Sequence, residues 1–102
     1  MLFSVSMFPI GRSDSLSHPV AEVIDEIDHA HLPYEVSAMD TIIEGDWDQV
    51  MPVIRKAHEH MVNAHDRVYL TIAVDEHKHA KSRLRGAVDD VDRELGRAVA
   101  RR

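Results

Sequence analysis

Apolar and polar residues follow two periods along this chain, and each change of period marks a predicted element. Between Leu2 and Phe8 the residues alternate, with Phe3, Val5 and Met7 on one side, as in a strand with one face toward a core. Pro9 ends this strand in the prediction, and a polar loop follows at 11–14. A helix then begins near residue 18, because apolar residues recur at the spacing i, i+3, i+4 and i+7: Val20, Val23, Ile24 and Ile27.

The middle and the end of the chain repeat this change of period. Two short strands at 34–37 and 40–44 lie so close in sequence that they predict a hairpin. A second helix at about 47–63 buries Val50, Ile54, Ala57 and Met61 in the prediction. A strand at 68–74 follows, and its pattern indicates that both faces are largely covered. The third helix, at about 82–99, carries one apolar stripe: Leu84, Val88, Val91, Leu95 and Val99.

This order, β-α-β-β-α-β-α, predicts an α+β fold. It is the ferredoxin-like βαββαβ arrangement with a four-stranded antiparallel sheet and an added C-terminal helix. We expect one domain over 1–102, with a core at about 2–76 and the C-terminal helix at about 82–99. Two helices would cover one face of the sheet. The other face, which carries Tyr69, Thr71 and Ala73, is expected to be covered by the third helix or by another subunit.

The stretch from Met39 to Met51 brings a strand, a turn and a helix start together. Asp46 followed by Gln49 predicts a capping box at the helix start. Gly45 lets the backbone turn sharply and lets another group come close, so this place is suited to a small ligand. Pro52 lies in the second helical turn, where it removes a hydrogen bond, and it predicts a kink or a loose first turn.

Composition narrows the classes of partner. The chain has 102 residues, a formal net charge of −6, 44% hydrophobic and 29% charged residues, and no cysteine. The acidic balance argues against nucleic acid as a partner, and no apolar run reaches the length needed to span a membrane. We expect a cytoplasmic protein that forms oligomers, because a domain this small buries a modest part of its surface.

Three segments then resemble the small thiamine-binding protein family, the YkoF-like group: 9–17, 39–51 and 53–59. The resemblance covers about residues 3 to 75. It implies a ferredoxin-like fold, homodimers or homotetramers joined through sheet faces and edges, no established catalysis, and binding of thiamine or its hydroxymethylpyrimidine part. This chain departs from the expected pattern at Asp40, where we expect glycine, in the loop from Arg12 to Asp14, which lacks glycines, and at Pro52.

The candidate ligand-binding residues are Glu44, Thr41, Trp47, Ser15, Ser17 and Met39. A carboxylate such as Glu44 can accept two parallel bonds from a protonated aminopyrimidine, although a solvated carboxylate at a strand end is an equal interpretation. Trp47 can stack on a flat or cationic ring, and it can also be a core or interface residue. The hydroxyls of Thr41, Ser15 and Ser17 suit a polar ligand, while Ser17 is equally suited to cap the first helix.

Two other classes of function stay open. The first is a small ferredoxin-like enzyme that uses Glu44 or His58 as a general base, and the second is a purely structural or regulatory oligomer. The eight histidines show no familiar metal-ligand spacing, although His58 and His65 share a helix face, so we expect no metal and no resident cofactor. No Gly-x-Ser-x-Gly elbow positions a serine for nucleophilic catalysis.

Overall fold

The computed structural model describes residues 1–11, 17–78 and 83–100. Its elements follow the predicted order and confirm the α+β fold with an added C-terminal helix. The strands and helices are β1 (Leu2–Pro9), α1 (Ser17–His29), β2 (Tyr34–Val36), β3 (Thr41–Glu44), α2 (Trp47–Ala64), β4 (Val68–Asp75) and α3 (Arg83–Leu95). None of these helices has the length and apolar content needed to cross a bilayer.

The four strands form one antiparallel sheet in the order β2-β3-β1-β4. β1 pairs with β4 along its whole length, from Leu2 opposite Asp75 to Pro9 opposite Val68. Its pairing with β3 is shorter and ends at Val5 opposite Thr41. β2 and β3 form the predicted hairpin, with Val36 opposite Thr41. The sheet therefore has a long central strand that is only half covered on one side.

The core lies between one face of this sheet and the two helices α1 and α2, which pack on each other and on β1. The alternation in β1 sends its odd-numbered residues into this core, as predicted. All four residues predicted to be buried on α2 are buried, whereas on α1 Val23 and Ile27 are buried and Val20 and Ile24 are partly exposed. Apolar side chains removed from water on this face hold the helices to the sheet.

The prediction that both faces of β4 are largely covered is wrong within one protomer. Tyr69, Thr71 and Ala73 point away from the core and are exposed. α3 packs over the outer face of β3, not over β4, because its N-terminus is attached near the end of β3. The outer face of β4 is consequently open to the extent that the described residues show, and β4 is also an edge strand with no described strand beyond it.

α2 begins as the sequence predicts. Asp46 has an extended backbone, and its N–H donates to Oε1 of Gln49 at 3.1 Å, the return bond of a capping box. The helix continues without interruption through Pro52. The carbonyl of Asp48, four residues earlier, therefore lacks the proton donor that any other residue at position 52 would supply.

Candidate functional site

A gap in the sheet opens next to the first residue of β3, Thr41. β3 accompanies β1 only from Leu2 to Val5, so beyond Val5 no described strand lies beside β1 on that side. The β2–β3 hairpin closes at this point through a bond from the N–H of Ser37 to the carbonyl of Asp40 at 2.8 Å. The tip of the hairpin and the second half of β1 thus face each other without pairing.

The hydrogen-bonding pattern of β1 identifies which of its main-chain N–H and carbonyl groups point into this gap. The N–H of Ile10 donates to the carbonyl of Arg67 at 2.9 Å and continues the β1–β4 register. Hydrogen-bonded pairs alternate along an antiparallel ladder, so Phe8 and Ser6 also direct their main-chain groups to β4. Met7 and Pro9 direct theirs to the gap. Pro9 has no N–H to lose there, which explains how proline fits inside this strand.

A cavity of about 470 Å³ lies against this open stretch of β1. Its volume is within the range of about 300–1,000 Å³ that is usual for small-molecule sites. One wall is formed by residues 5–8 of β1, and the floor and rim are formed by residues 36–41 of the β2–β3 hairpin. The opposite wall is the apolar face of α1: Val20, Val23, Ile24 and Ile27.

Residues with polar side chains belong to the lining of this cavity on the strand and on the hairpin. Ser6, Ser37, Asp40 and Thr41 line it together with the otherwise apolar surface. Asp40 is fixed by two hydroxyls: Ser4 donates to its Oδ2, and Ser37 donates to its Oδ1 at 2.8 Å. The main-chain N–H and carbonyl of Met7, a donor and an acceptor side by side, complete the set. Such a pair matches the acceptor and donor edge of an aminopyrimidine.

Met39 and Thr41, two of the candidate residues, belong to this cavity. Thr41 is buried on the core side of β3, and Met39 stands at the hairpin tip with 86% of its surface exposed. Ser17 is the first residue of α1 and is exposed there. Ser15 lies outside the described residues. The structure therefore brings two of the six candidates together.

Glu44 lies at the other end of β3, paired with Leu2. It lies three positions after Thr41, which is about 10 Å along an extended strand. Its Oε2 accepts a hydrogen bond from the main-chain N–H of Arg83 at 2.6 Å. This carboxylate therefore caps the start of α3, where free N–H groups favour negative charge. It does not line the 470 Å³ cavity.

Trp47 also lies at this far end, on the first turn of α2. Its ring meets the buried ring of Phe3 edge to face, with the ring centroids 5.2 Å apart. Half of its surface remains exposed beside a shallow groove of about 320 Å³ that it shares with Met51 and Arg55. Its contact with Phe3 seals one end of the core, and its free face is still open to a ligand.

The histidines are dispersed. Within the described ranges no group of three or more histidine, cysteine, aspartate or glutamate side chains is placed to hold a metal ion. His58 is partly buried on α2 and does not line the cavity beside β1. His18 and His60 contact the two carboxylate oxygens of Glu22 at 2.8 and 2.9 Å, which joins α1 to α2 on the surface. This cluster is a helix–helix contact.

Sequence reasoning missed Ser6, Ser37 and the main chain of Met7 as parts of a site. One signal was present. A proline inside a predicted strand requires a side of that strand without a partner, and Pro9 therefore indicated the open side of β1. The end of the β1–β3 ladder, which makes the cavity, depends on pairing between distant residues that periodicity does not reveal.

Comparisons with known proteins agree with this architecture. A family model described as "Thiamine-binding protein" matches residues 3–92. A UPF0045 protein of Methanothermobacter thermautotrophicus is 34% identical over 94 residues, which cover 89% of this chain and 95% of that protein. A UPF0045 protein of Methanocaldococcus jannaschii is 35% identical over 74 residues, covering 72% of this chain and 74% of that protein.

Solved structures share the fold. The crystal structure of a hypothetical protein of Methanocaldococcus jannaschii superposes with a TM-score of 0.82 at 29% identity, covering 88% of this chain and 93% of that one. A protein of Thermotoga maritima, proposed to act in thiamine biosynthesis or salvage, gives a TM-score of 0.78 at 18% identity, with 88% and 96% covered. The second similarity supports the fold alone.

Proposed function

This chain belongs to the thiamine-binding protein family, and we propose that it is a non-catalytic binding protein for thiamine, its hydroxymethylpyrimidine part or a similar heteroaromatic molecule. The family is described by binding, and its description names no reaction. We place the ligand in the cavity between β1, α1 and the hairpin tip. The observation that carries this proposal is the open stretch of β1 at Met7, which faces a cavity of suitable volume.

The chemistry of the cavity fits a flat nitrogenous ring. Residues of α1 supply an apolar wall against which a ring can lie. The main-chain N–H of Met7 suits a ring nitrogen, and its carbonyl suits an exocyclic amine. The hydroxyl of Thr41 adds a further polar contact. This arrangement has an apolar body and a few directed polar groups, which is typical of small-molecule sites.

Calorimetric titration with thiamine and with hydroxymethylpyrimidine tests the proposal. We expect wild type to bind at least one of them, and Thr41→Val to weaken that binding about fivefold because one neutral hydrogen bond is lost. Glu44→Gln is the matched control at the other end of β3, and it is expected to leave the affinity unchanged. Emission from Trp47, the single tryptophan, should change little on binding.

The opposite pattern would place the ligand elsewhere. Loss of binding in Glu44→Gln, together with a large change in Trp47 emission, would move the ligand to the groove beside α2 and restore Glu44 and Trp47 as its main contacts. No binding by wild type would contradict the ligand-carrier proposal. Turnover of either compound would favour the enzyme alternative instead.

We also propose that the protein works as a homo-oligomer joined through the outer face and free edge of β4. Phe8 and Tyr69 lie together on this face with their ring centroids 5.6 Å apart, and Tyr69 is 51% exposed. An uncovered strand edge beside exposed aromatic rings is the kind of surface that pairs with another chain. A second copy would bury both features.

Sedimentation velocity tests the assembly. Wild type is expected to sediment as a dimer or a larger oligomer, and Tyr69→Glu is expected to sediment as an 11.6 kDa monomer. Val62→Glu is the matched control, since Val62 is an exposed apolar residue on α2, in the opposite layer. A monomeric wild type, or equal effects of the two variants, would contradict the proposed interface.

A further inference from the structure

A second cavity lies on the outer face of the sheet, between the β2–β3 hairpin and α3. Its volume is about 270 Å³, which is just below the usual range for drug-sized ligands and suits a smaller molecule. Its apolar lining comes from the hairpin, from α3 and from the chain after α3: Val36, Ile42, Val88 and Val99. The larger cavity beside β1 lies on the other side of the hairpin, toward α1.

The segment after α3 folds back and closes this second cavity. Gly96 has a φ of 71°, which side chains other than glycine rarely adopt, and the N–H of Arg97 donates to the carbonyl of Asp92 at 3.2 Å, as in a Schellman cap. The N–H of Val99 then donates to Oδ1 of Asp92 at 2.8 Å. Val99 is thereby brought back to the cavity that Val88 also lines.

The strand register fixes the side of the sheet on which Glu35 lies. Tyr34 pairs with Ile43, and Glu35 pairs with Ile42. Ile43 is fully buried in the core under α1 and α2, and successive side chains alternate between the faces of a strand, so Glu35 and Ile42 point to the opposite face. α3 lies over that face. Glu35 therefore faces the cavity under α3, whose lining it joins.

The charge of Glu35 is not balanced within this cavity. Glu35 is partly buried, and it is the one charged side chain among the described residues of the lining. No side chain in the part of the chain that the structure describes forms an ion pair or a hydrogen bond with it. A carboxylate beside apolar groups loses solvation, and an opposite charge offsets that loss. Its oxygens accept hydrogen bonds from a cation that carries N–H groups.

We propose that the cavity between the hairpin and α3 is a second binding site, and that it takes a small organic ammonium ion with an apolar body. The apolar body would lie among Val36, Ile42 and Val88, and the ammonium group would donate to Glu35. This site is independent of the cavity proposed for the heteroaromatic ligand, because Glu35 does not line that cavity.

Two-dimensional amide NMR with two small probes tests this site. Benzylammonium and benzyl alcohol are nearly equal in size and differ in charge, and ligands of this size are expected to bind in the millimolar range. We expect benzylammonium to bind at least about fivefold more tightly, because it forms a charge-assisted bond to a partly exposed carboxylate. The amide signals of residues 35–37 and Val88 should shift, since these residues line the cavity.

Matched variants separate the charge of Glu35 from other effects. Glu35→Gln keeps the shape of the side chain and removes its charge, so benzylammonium should then bind no more tightly than benzyl alcohol. Raising the salt concentration should weaken benzylammonium binding in wild type more than in Glu35→Gln. Asp66→Asn removes one charge at an exposed position outside this cavity and should change neither affinity. Thr41→Val, in the cavity beside β1, should also change neither.

Three results would overturn the inference. Equal affinities of wild type for the two probes, or no binding of either, would mean that the cavity does not select a cation. A preference for benzylammonium that persists in Glu35→Gln would mean that the carboxylate does not meet the cation. Loss of benzylammonium binding in Thr41→Val would assign the probe to the cavity beside β1.

The chain's own basic residues are the alternative partner of Glu35. Arg101 and Arg102 follow Ala100, which lines the cavity. Replacing both arginines with glutamine should leave benzylammonium binding unchanged. If benzylammonium binds this variant and does not bind wild type, the C-terminal arginines neutralise Glu35, and the inference of a ligand site fails.

Discussion

Gly45 shows at the level of one residue how tightly the start of α2 is packed. Its N–H donates to the carbonyl of Met1 at 3.0 Å, which fixes the end of β3 beside the start of β1. A Cβ built at Gly45 would lie 2.9 Å from Cγ2 of Val50 and 3.2 Å from Oε1 of Gln49. Val50 is fully buried, so its side chain could shift only by displacing its packed neighbours. Glycine is needed here for close approach, not for an unusual backbone angle.

Gly45→Ala should therefore destabilise the protein by about 1–3 kcal/mol, the usual cost of inserting a methyl group into packed structure. Gly86, inside α3, is the matched control because a Cβ there would meet its nearest neighbour at an ordinary 3.5 Å. Gly86→Ala should favour α3 by about 0.5–1 kcal/mol through helix propensity. Urea denaturation measures the first effect and helical circular dichroism the second. Effects of the same sign would contradict the packing argument.

His29 provides a titration that can be followed at a single residue. Its Nδ1 lies 2.7 Å from the carbonyl oxygen of Asp25, and its protonated ring donates there. This bond, followed by the attraction of the Asp25 carboxylate, raises the pKa of His29 above 6.5. A raised pKa stabilises the folded state fully below pH 6.5 and loses this contribution as the pH rises through the folded-state pKa.

NMR titration of the His29 ring should give a pKa above 6.5 in wild type. Asp25→Asn should lower the pKa but leave it raised, because the carbonyl acceptor remains. Asp28→Asn should lower it less, since Asp28 is a smaller contributor. Equal effects of the two substitutions, or a pKa at or below 6.5 in wild type, would contradict this assignment.

At the level of an element, α2 contains Pro52 within its helical residues. The capping box and the buried apolar residues of α2 stabilise the helix by more than this proline destabilises it. Pro52→Ala restores the hydrogen bond to the carbonyl of Asp48 and should stabilise the protein by about 2 kcal/mol, which is the helix-interior cost of proline less its benefit in the unfolded chain. Pro33→Ala, in the loop before β2, should instead cost less than about 1 kcal/mol. Thermal melts compare the two, and a destabilised Pro52→Ala would contradict the argument.

The elements themselves could be predicted because their information is local. The alternation around Phe3 and the stripe from Val50 to Met61 each lie within one segment, and both face the core as predicted. The cavity and the partner of Glu44 are different. Glu44 meets Arg83 across 39 positions, and the cavity exists because β3 begins only at Thr41, opposite Val5, and leaves the rest of β1 without a partner on that side. Both relations join residues that are distant in sequence, so neither produces a periodic pattern from which it could be predicted.

At the level of the whole molecule, the sheet separates two regions of different character. One face holds the buried core under α1 and α2, with the cavity at the margin of that core. The other face is shared between α3, which lies over β3, and the exposed strand β4. Ligand binding and self-association are therefore proposed for different surfaces, and variants of Tyr69 and Thr41 should affect assembly and binding separately.

The bond between Glu44 and Arg83 has a consequence for how the molecule loosens. α3 buries no residue completely, so its local opening should require much less free energy than global unfolding, and its amide protons should exchange with solvent before those of α2. Glu44→Gln should hasten exchange in α3 and leave α2 unchanged. A ligand that formed a hydrogen bond with the Glu44 carboxylate would displace the main-chain N–H of Arg83. Faster amide exchange in α3 would then indicate that the ligand is bound.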